Sequence, residues 1–227
     1  MSCNQSPFSR LNILKKLLLA LLLISQVSFS GAEFDETLNL AKQGNVIAQH
    51  NLGIMYDRGE GVAQNDTEAV TWYRKAAMQG MEEAQVDLGV MYMRGQGMPK
   101  NDTEAVEWYR KAAVQGYAKA QYNLGIVYDR GLGVPENHIE AGKWYRKAAA
   151  QGHVKAQQNL GAMYADGDGV QKNKIRAYVW LSIAQASGDE KAVGNINILK
   201  SDMSPDQIKQ AQALVTKCYE SNFKNCE

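Results

Sequence analysis

The chain is short of cysteine, of proline and of any surplus of one charge. Three cysteines in 227 residues are too few for a fold stapled together by disulfides. Four prolines beside 20 glycines, in a sequence rich in Ala, Leu and Gln, exclude a collagen-like or all-β chain and suit helices punctuated by glycine turns. With 25 Lys and Arg against 24 Asp and Glu, the formal charge is +1. That gives no electrostatic case for nucleic-acid binding, which calls for a basic excess or patch. A disordered chain is excluded as well, because 45% of the residues are hydrophobic and only 22% are charged. The length suits one or two domains with a buried core.

Long apolar runs are also missing. The stretch from Leu17 to Ile24 falls well short of the ~18 residues a spanning helix needs. Arg10, Lys15 and Lys16 precede it, and Ser30-Gly31-Ala32 follows, a small-x-small site. This order reads as a secretory signal peptide over residues 1–32, cleaved after Ala32, with an uncleaved anchor as the alternative. Cleavage would remove three basic residues and no acidic one, leaving a net charge of −2. The expected location is periplasmic or secreted, with no stable membrane span after cleavage. Cys3 leaves with the leader. Cys218 and Cys226 remain, and in an oxidising compartment they are a plausible disulfide, two free thiols being the alternative. Zinc needs three or four ligands and no histidine lies near this pair, so no metal is expected there.

What the sequence has in abundance is repetition. Residues 45–80, 81–116, 117–152 and 153–188 are four gapless units of 36 residues, the fourth drifting most. Each unit reads as two helices. Ala48, Leu52, Met55 and Tyr56 make one amphipathic stripe, which Gly59 ends. After a short loop, Asn65 opens the second helix with Glu68 three residues on, a capping-box pattern repeated at Asn101/Glu104 and Asn137/Glu140 but absent at Asn173. Ala69, Trp72, Tyr73, Ala76 and Ala77 form its stripe. Gly53, Gly89, Gly125 and Gly161 sit inside the first helices, at a cost of about 1 kcal/mol each relative to alanine. Such a recurrent cost implies close packing, with the paired alanines as the expected opposing surface. One hairpin cannot bury both stripes, whereas stacked neighbours can. The expected fold is all-α, a right-handed α/α superhelical solenoid of 36-residue helix-turn-helix repeats. Residues 33–44 form a leading half-repeat helix and 189–227 capping helices and a tail, with Pro205 at the first position of the last helix.

The pattern A-x-x-x-L-G-x-x-Y-x-x-G-x-G-V followed by A-x-x-W-Y-x-x-A-A-x-x-G resembles the Sel-one-like repeat (SLR) family, relatives of the tetratricopeptide repeat, and covers Asn45 to Gly188. The resemblance implies an α/α solenoid acting as an adaptor or scaffold in signalling, envelope processes or host interaction. A cysteine-rich branch of the family is linked to penicillin binding and β-lactam hydrolysis. This sequence lacks that branch's cysteine pair in each repeat.

Reactive constellations are weak. Ser221-Asn222-Phe223-Lys224 is a lone S-x-x-K without the S-D-N or K-T-G of penicillin-recognising enzymes, and chance explains it better. Asp57 to Glu68 and Asp166 to Gly169 lack the calcium-loop ligand pattern. The repeated G-x-G follows a helix, not a strand, so it is no dinucleotide motif. His50, His138 and His153 occupy three different repeat positions, show no ligand spacing and read as surface residues. Asn65-Asp66-Thr67 and Asn101-Asp102-Thr103 match a glycosylation sequon but suit helix capping better. The Trp-Tyr-Arg-Lys runs put rings in the core and charges in solvent. No catalytic residue, metal ligand or cofactor is expected.

Variation between units is the remaining clue. Repeat positions 2, 6 and 13 lie opposite the Ala/Leu stripe of the first helix, the side that lines the concave face of such stacks. They place His50, Asp57, Val86, Met93, Tyr122, Asp129 and Gln158 as the candidate partner-binding set. A mixed stripe of this kind suits a protein or peptide ligand, while unconstrained solvated positions would leave the same trace. The expected function is an exported, non-catalytic scaffold that binds a protein or peptide in a concave groove. The alternative is an enzyme acting on cell-wall material or β-lactams, with Ser221 as its only motif-bearing nucleophile. Neither partner nor oligomeric state is legible.

Overall fold

A computed structural model of the chain describes residues 32–223 and Cys226. The expected leader, residues 1–32, lies outside the described residues apart from Ala32 at its cleavage site. Among the described residues there is no strand, and no helix is long and apolar enough to cross a membrane. The chain divides into two units, residues 1–79 and 80–227.

In the first unit, residues 32–42 are helical (α1), followed by α2 (Val46–Arg58) and α3 (Asp66–Met78). Ala41, Ala48, Leu52, Met55 and Trp72 form its core, with Phe34 and Leu38 packed against it. The leading helix therefore covers the apolar face that α2 turns away from α3.

The second unit holds three hairpins: α4 (Glu82–Arg94) with α5 (Asp102–Val114), α6 (Ala118–Arg130) with α7 (His138–Ala149), and α8 (Val154–Asp166) with α9 (Lys174–Ala186). Then come α10 (Glu190–Ser201) and α11 (Pro205–Glu220). Successive hairpins stack, α5 on α6 and α7 on α8, and both α10 and α11 pack on α9. The result is an α/α solenoid closed at its end. Leu88, Leu124 and Leu160 are fully buried along its axis; truncating any of them to alanine should cost ~2–5 kcal/mol.

Each element starts and stops for a local reason. The Asn65, Asn101, Asn137 and Asn173 side chains accept from the backbone N–H three residues on. Asn173 does so although it lacks the glutamate partner. The reciprocal half of a capping box forms at α11, where Ser204 N–H donates to Gln207 Oε1 (2.9 Å) and Pro205 opens the helix. A left-handed glycine ends each first helix, Gly59 with φ 72° being one. The next glycine of each G-x-G has a separate task. Gly169 (φ +64°) lies against the His138 carbonyl, and Gly133 (φ +70°) lies against the Asp102 backbone, so each loop rests on the start of the preceding repeat's second helix. A side chain at either position would collide with backbone.

The glycines inside the first helices also differ from expectation. Three of them face an aromatic ring of the same hairpin and the fourth a leucine, not the alanines. A Cβ on Gly53 would stand 2.5 Å from the Tyr73 ring and one on Gly89 2.5 Å from Tyr109, with Gly125 against Tyr145 and Gly161 against Leu181.

A buried amide chain joins the hairpins, and the sequence pattern alone gives no hint of it. Gln121 donates to the Ala113 carbonyl of the preceding repeat (3.2 Å) while its Oε1 accepts from Gln151 (2.8 Å). In the first unit Gln49 donates to Ala41 O (3.1 Å) and accepts from Gln79 (2.7 Å). At the C-terminal end, Cys218 and Cys226 are paired as a disulfide, with Cα atoms 4.5 Å apart, and both are buried. Phe223, between them, packs near Gly152.

Candidate functional site

The candidate residues separate according to what the tyrosine on the second helix covers. Because glycine stands at the ninth repeat position, the ring lies across the first helix and reaches the side chains three residues before and four after. In the first unit, His50 is buried at 8% exposure with its ring 5.6 Å from Tyr73, and the Tyr73 hydroxyl is 3.5 Å from Asp57 Oδ2. Val86 in the second unit is wholly buried in the core formed with Val106 and Tyr109. The expectation that His50 and Val86 offer a ligand-facing surface is therefore corrected: both are interior, shielded by the packing that their glycine permits. Met93 is half-buried against the same core.

Tyr122, Asp129 and Gln158 are brought together. They line a groove of about 920 Å³ along α6 and α8, bounded by the turn at 187–191. Its floor includes Tyr145 and Met163, and its rim carries Lys155, Asp166, Asp168 and Lys191. Tyr122 stacks on His153, with ring centroids 4.4 Å apart and planes 24° apart, and lies 6.0 Å from Tyr145. His153 Nδ1 accepts from the Ala156 N–H (3.3 Å), capping α8. Burial lowers its pKa below the usual 6.5, which keeps the ring neutral and able to accept. The Tyr145 side chain is 1% exposed; burial raises its pKa, and the Asn159 side chain beside its hydroxyl opposes that rise. So deeply covered a hydroxyl belongs to the floor that supports the groove, and a ligand would meet the half-buried Tyr122 instead. Tyr145, Asn159 and Met163 were not among the sequence candidates. Tyr145 belongs to the core stripe by periodicity, and only the groove's opening distinguishes it from Tyr73.

The histidines are not surface residues of one kind. His50 is core and His153 is a helix cap. His138, the first residue of α7, meets three carboxylates: its Nδ1 lies 3.1 Å from Asp129 Oδ1 and 3.5 Å from Asp168 Oδ2, and its Nε2 lies 3.1 Å from Glu136 Oε1. The Asp129 hydrogen bond leads in raising its pKa above 6.5.

Other motif residues have structural roles. Ser221 caps α11 and donates to the Cys218 carbonyl at 2.9 Å; Lys224, the other half of the S-x-x-K, lies outside the described residues. Lys75, Lys111 and Lys147 sit over the rings of Trp72, Trp108 and Trp144, 3.8–4.2 Å from their centroids, which accounts for the Trp-Tyr-Arg-Lys runs.

The family model for the Sel1 repeat matches residues 46–81, 82–117, 118–153 and 154–189, one residue downstream of the units read from the sequence. Among solved structures, the chain is similar to a protective antigen with an SLR fold from uropathogenic Escherichia coli strains. That match has 36% identity and a TM-score of 0.77, over 85% of this chain and 42% of the other. It is also similar to a Sel1 repeat protein from Oxalobacter formigenes, with 36% identity and a TM-score of 0.69, over 75% of this chain and 49% of the other. The chain thus spans less than half the length of either relative. No curated protein matches it.

Proposed function

Because the chain belongs to the Sel1 repeat family, generally non-catalytic helical scaffolds that mediate protein–protein interaction, we propose that the α6/α8 groove is where it holds a partner. The occupant is an extended segment of a protein or a peptide. The observation that carries this reading is a groove of about 920 Å³ lined by Tyr122, Asn159 and charged rim residues of both signs. Aromatic side chains that combine a rigid apolar ring with a polar tip are what protein-binding surfaces enrich. The leader-like segment supports export to the periplasm or beyond. Similarity to a protein described as a protective antigen supports a setting in the envelope or facing a host.

A photo-crosslinking residue at Gln158 in the groove, compared with one at exposed Lys143 on α7, tests the reading. The Gln158 probe should capture a discrete partner that the Lys143 probe does not. Tyr122→Ala should weaken that capture while leaving the helical signal unchanged. Equal capture from both positions, or no effect of Tyr122→Ala, would remove the groove from the account. N-terminal sequencing of the chain recovered from a periplasmic fraction tests export, with Glu33 as the expected first residue.

A further inference from the structure

The carboxylates around His138 come from three different segments, and the framework of the repeat does not require any of them. Asp129 is in the last turn of α6, Glu136 precedes α7, and Asp168 lies in the loop after α8. At the positions equivalent to His138 the other repeats carry Asp66, Asp102 and Lys174; at those of Asp168 they carry Glu60, Gln96 and Leu132. The third and fourth repeats therefore meet at a constellation found at no other junction.

We propose that Asp129, His138 and Asp168 form a binding site for a divalent cation of the zinc type, held between two repeats at the edge of the groove. The three ligand atoms lie within 4.8 Å of one another. Nitrogen and oxygen ligands bind zinc at about 2.0–2.2 Å, which sets neighbouring ligands about 3.0–3.5 Å apart for right-angle to tetrahedral arrangements. The separations from His138 Nδ1, 3.1 Å to Asp129 and 3.5 Å to Asp168, fall in that range. Only the two carboxylates have to draw closer, and a cation between them replaces their repulsion with attraction.

The outer groups agree. Glu136 accepts from Nε2 on the far side of the ring, the carboxylate–histidine pairing that holds the proton on Nε2 and leaves the Nδ1 lone pair for a metal. Gly169, pressed on the His138 carbonyl, fixes the loop that carries Asp168. Imidazole with two carboxylates favours zinc-like cations over calcium or magnesium, which take oxygen ligands. Three protein ligands leave a fourth position open. Asp129 and Asp168 both line the groove, so that position is accessible to a bound partner. The site does not depend on the peptide reading, because it is complete without a partner.

Calorimetric titration of the full chain, stripped with EDTA, using zinc chloride alone tests the site. One saturable zinc ion per chain is expected, with calcium giving at least tenfold weaker binding. Asp168→Asn and His138→Asn should abolish it, and Glu136→Gln, outside the coordination sphere, should weaken it 10–100-fold. Asp168 is exposed, so its variant keeps the fold; an unchanged metal-free melting curve verifies this. In nitrogen-detected NMR, zinc should shift His138 Nδ1 and not Nε2. Absence of saturable binding, retention of full affinity by Asp168→Asn, or calcium binding as tightly as zinc would each overturn the proposal.

Discussion

Ser187→Gln should stabilise this protein, although serine there is exposed and looks unremarkable in the sequence. The position is the thirty-fifth of the fourth repeat, where the first three carry Gln79, Gln115 and Gln151. Gln151 shows what those residues do: its amide donates to Gln121 Oε1 and to Gly116 O, both at 2.8 Å. In the fourth repeat Gln157 still donates to Ala149 O (3.2 Å), but its Oε1 is buried and has no partner among the described residues. Serine is too short to reach it. An unsatisfied buried acceptor costs ~1–3 kcal/mol, and ordering a glutamine side chain takes back up to ~1.5–2 kcal/mol. The net gain should be positive but no more than about 1 kcal/mol, at most about 2–4 °C in melting temperature for a chain of this size. Backbone strain does not enter, since Gln79 and Gln115 occupy the same C-cap position of α3 and α5. Urea denaturation should show a higher midpoint at unchanged slope. Gln151→Ser should do the opposite by a similar amount. The decisive arm repeats Ser187→Gln in a Gln157→Leu background, where the acceptor is gone. An equal gain there would show that the amide chain has nothing to do with it.

Glycine-to-alanine substitutions should divide by location. Gly169→Ala combines a left-handed backbone, about 1–2 kcal/mol by itself, with a collision at the His138 carbonyl. It should lower the unfolding free energy by more than that and loosen the junction between the third and fourth repeats, read as faster amide exchange in α7. Gly194→Ala, in the exposed interior of α10 with nothing within 4 Å of the added methyl, should instead raise stability by about 0.5–1 kcal/mol in the same denaturation assay. The histidines should titrate in opposite senses by NMR. His138, facing Asp129, Glu136 and Asp168, has a pKa raised above 6.5. Its stabilisation is full below the unfolded-state value and is lost as pH rises through the higher folded value. His153 is depressed by burial, so its contribution is full above 6.5 and is lost as pH falls towards its lower folded value. A His153→Asn variant, which keeps a capping acceptor, should remove the acid-side loss and leave the His138 behaviour intact.

What the sequence made legible is what a single helix determines about itself. Leu52, Ala69, Trp72 and their equivalents recur at helical spacing because each must turn towards a core. The capping asparagines and loop glycines recur because helices need ends. What stayed hidden depends on a second body. The stripe of positions 2, 6 and 13 does lie opposite the apolar stripe, yet His50 and Val86 are buried because a glycine three residues on admits a tyrosine from the next helix. Gln121 and Gln157 carry no mark of burial in the sequence, and their burial follows from a carbonyl in the preceding repeat that no spacing along the chain reveals.

The cluster at His138 shows the same logic working on function. Tyr73 and Asp57 pair within the first unit, at 3.5 Å. In the third repeat Asp129 bonds instead to His138, which stands where the first repeat has Asp66. Glu136 and Asp168 complete the cluster at positions where the other repeats carry Gln64, Lys100 and Lys172, and Glu60, Gln96 and Leu132. Drift at unconstrained positions would scatter such differences across the repeats, whereas here three of them coincide at one junction, and Asp129 and Asp168 line one groove.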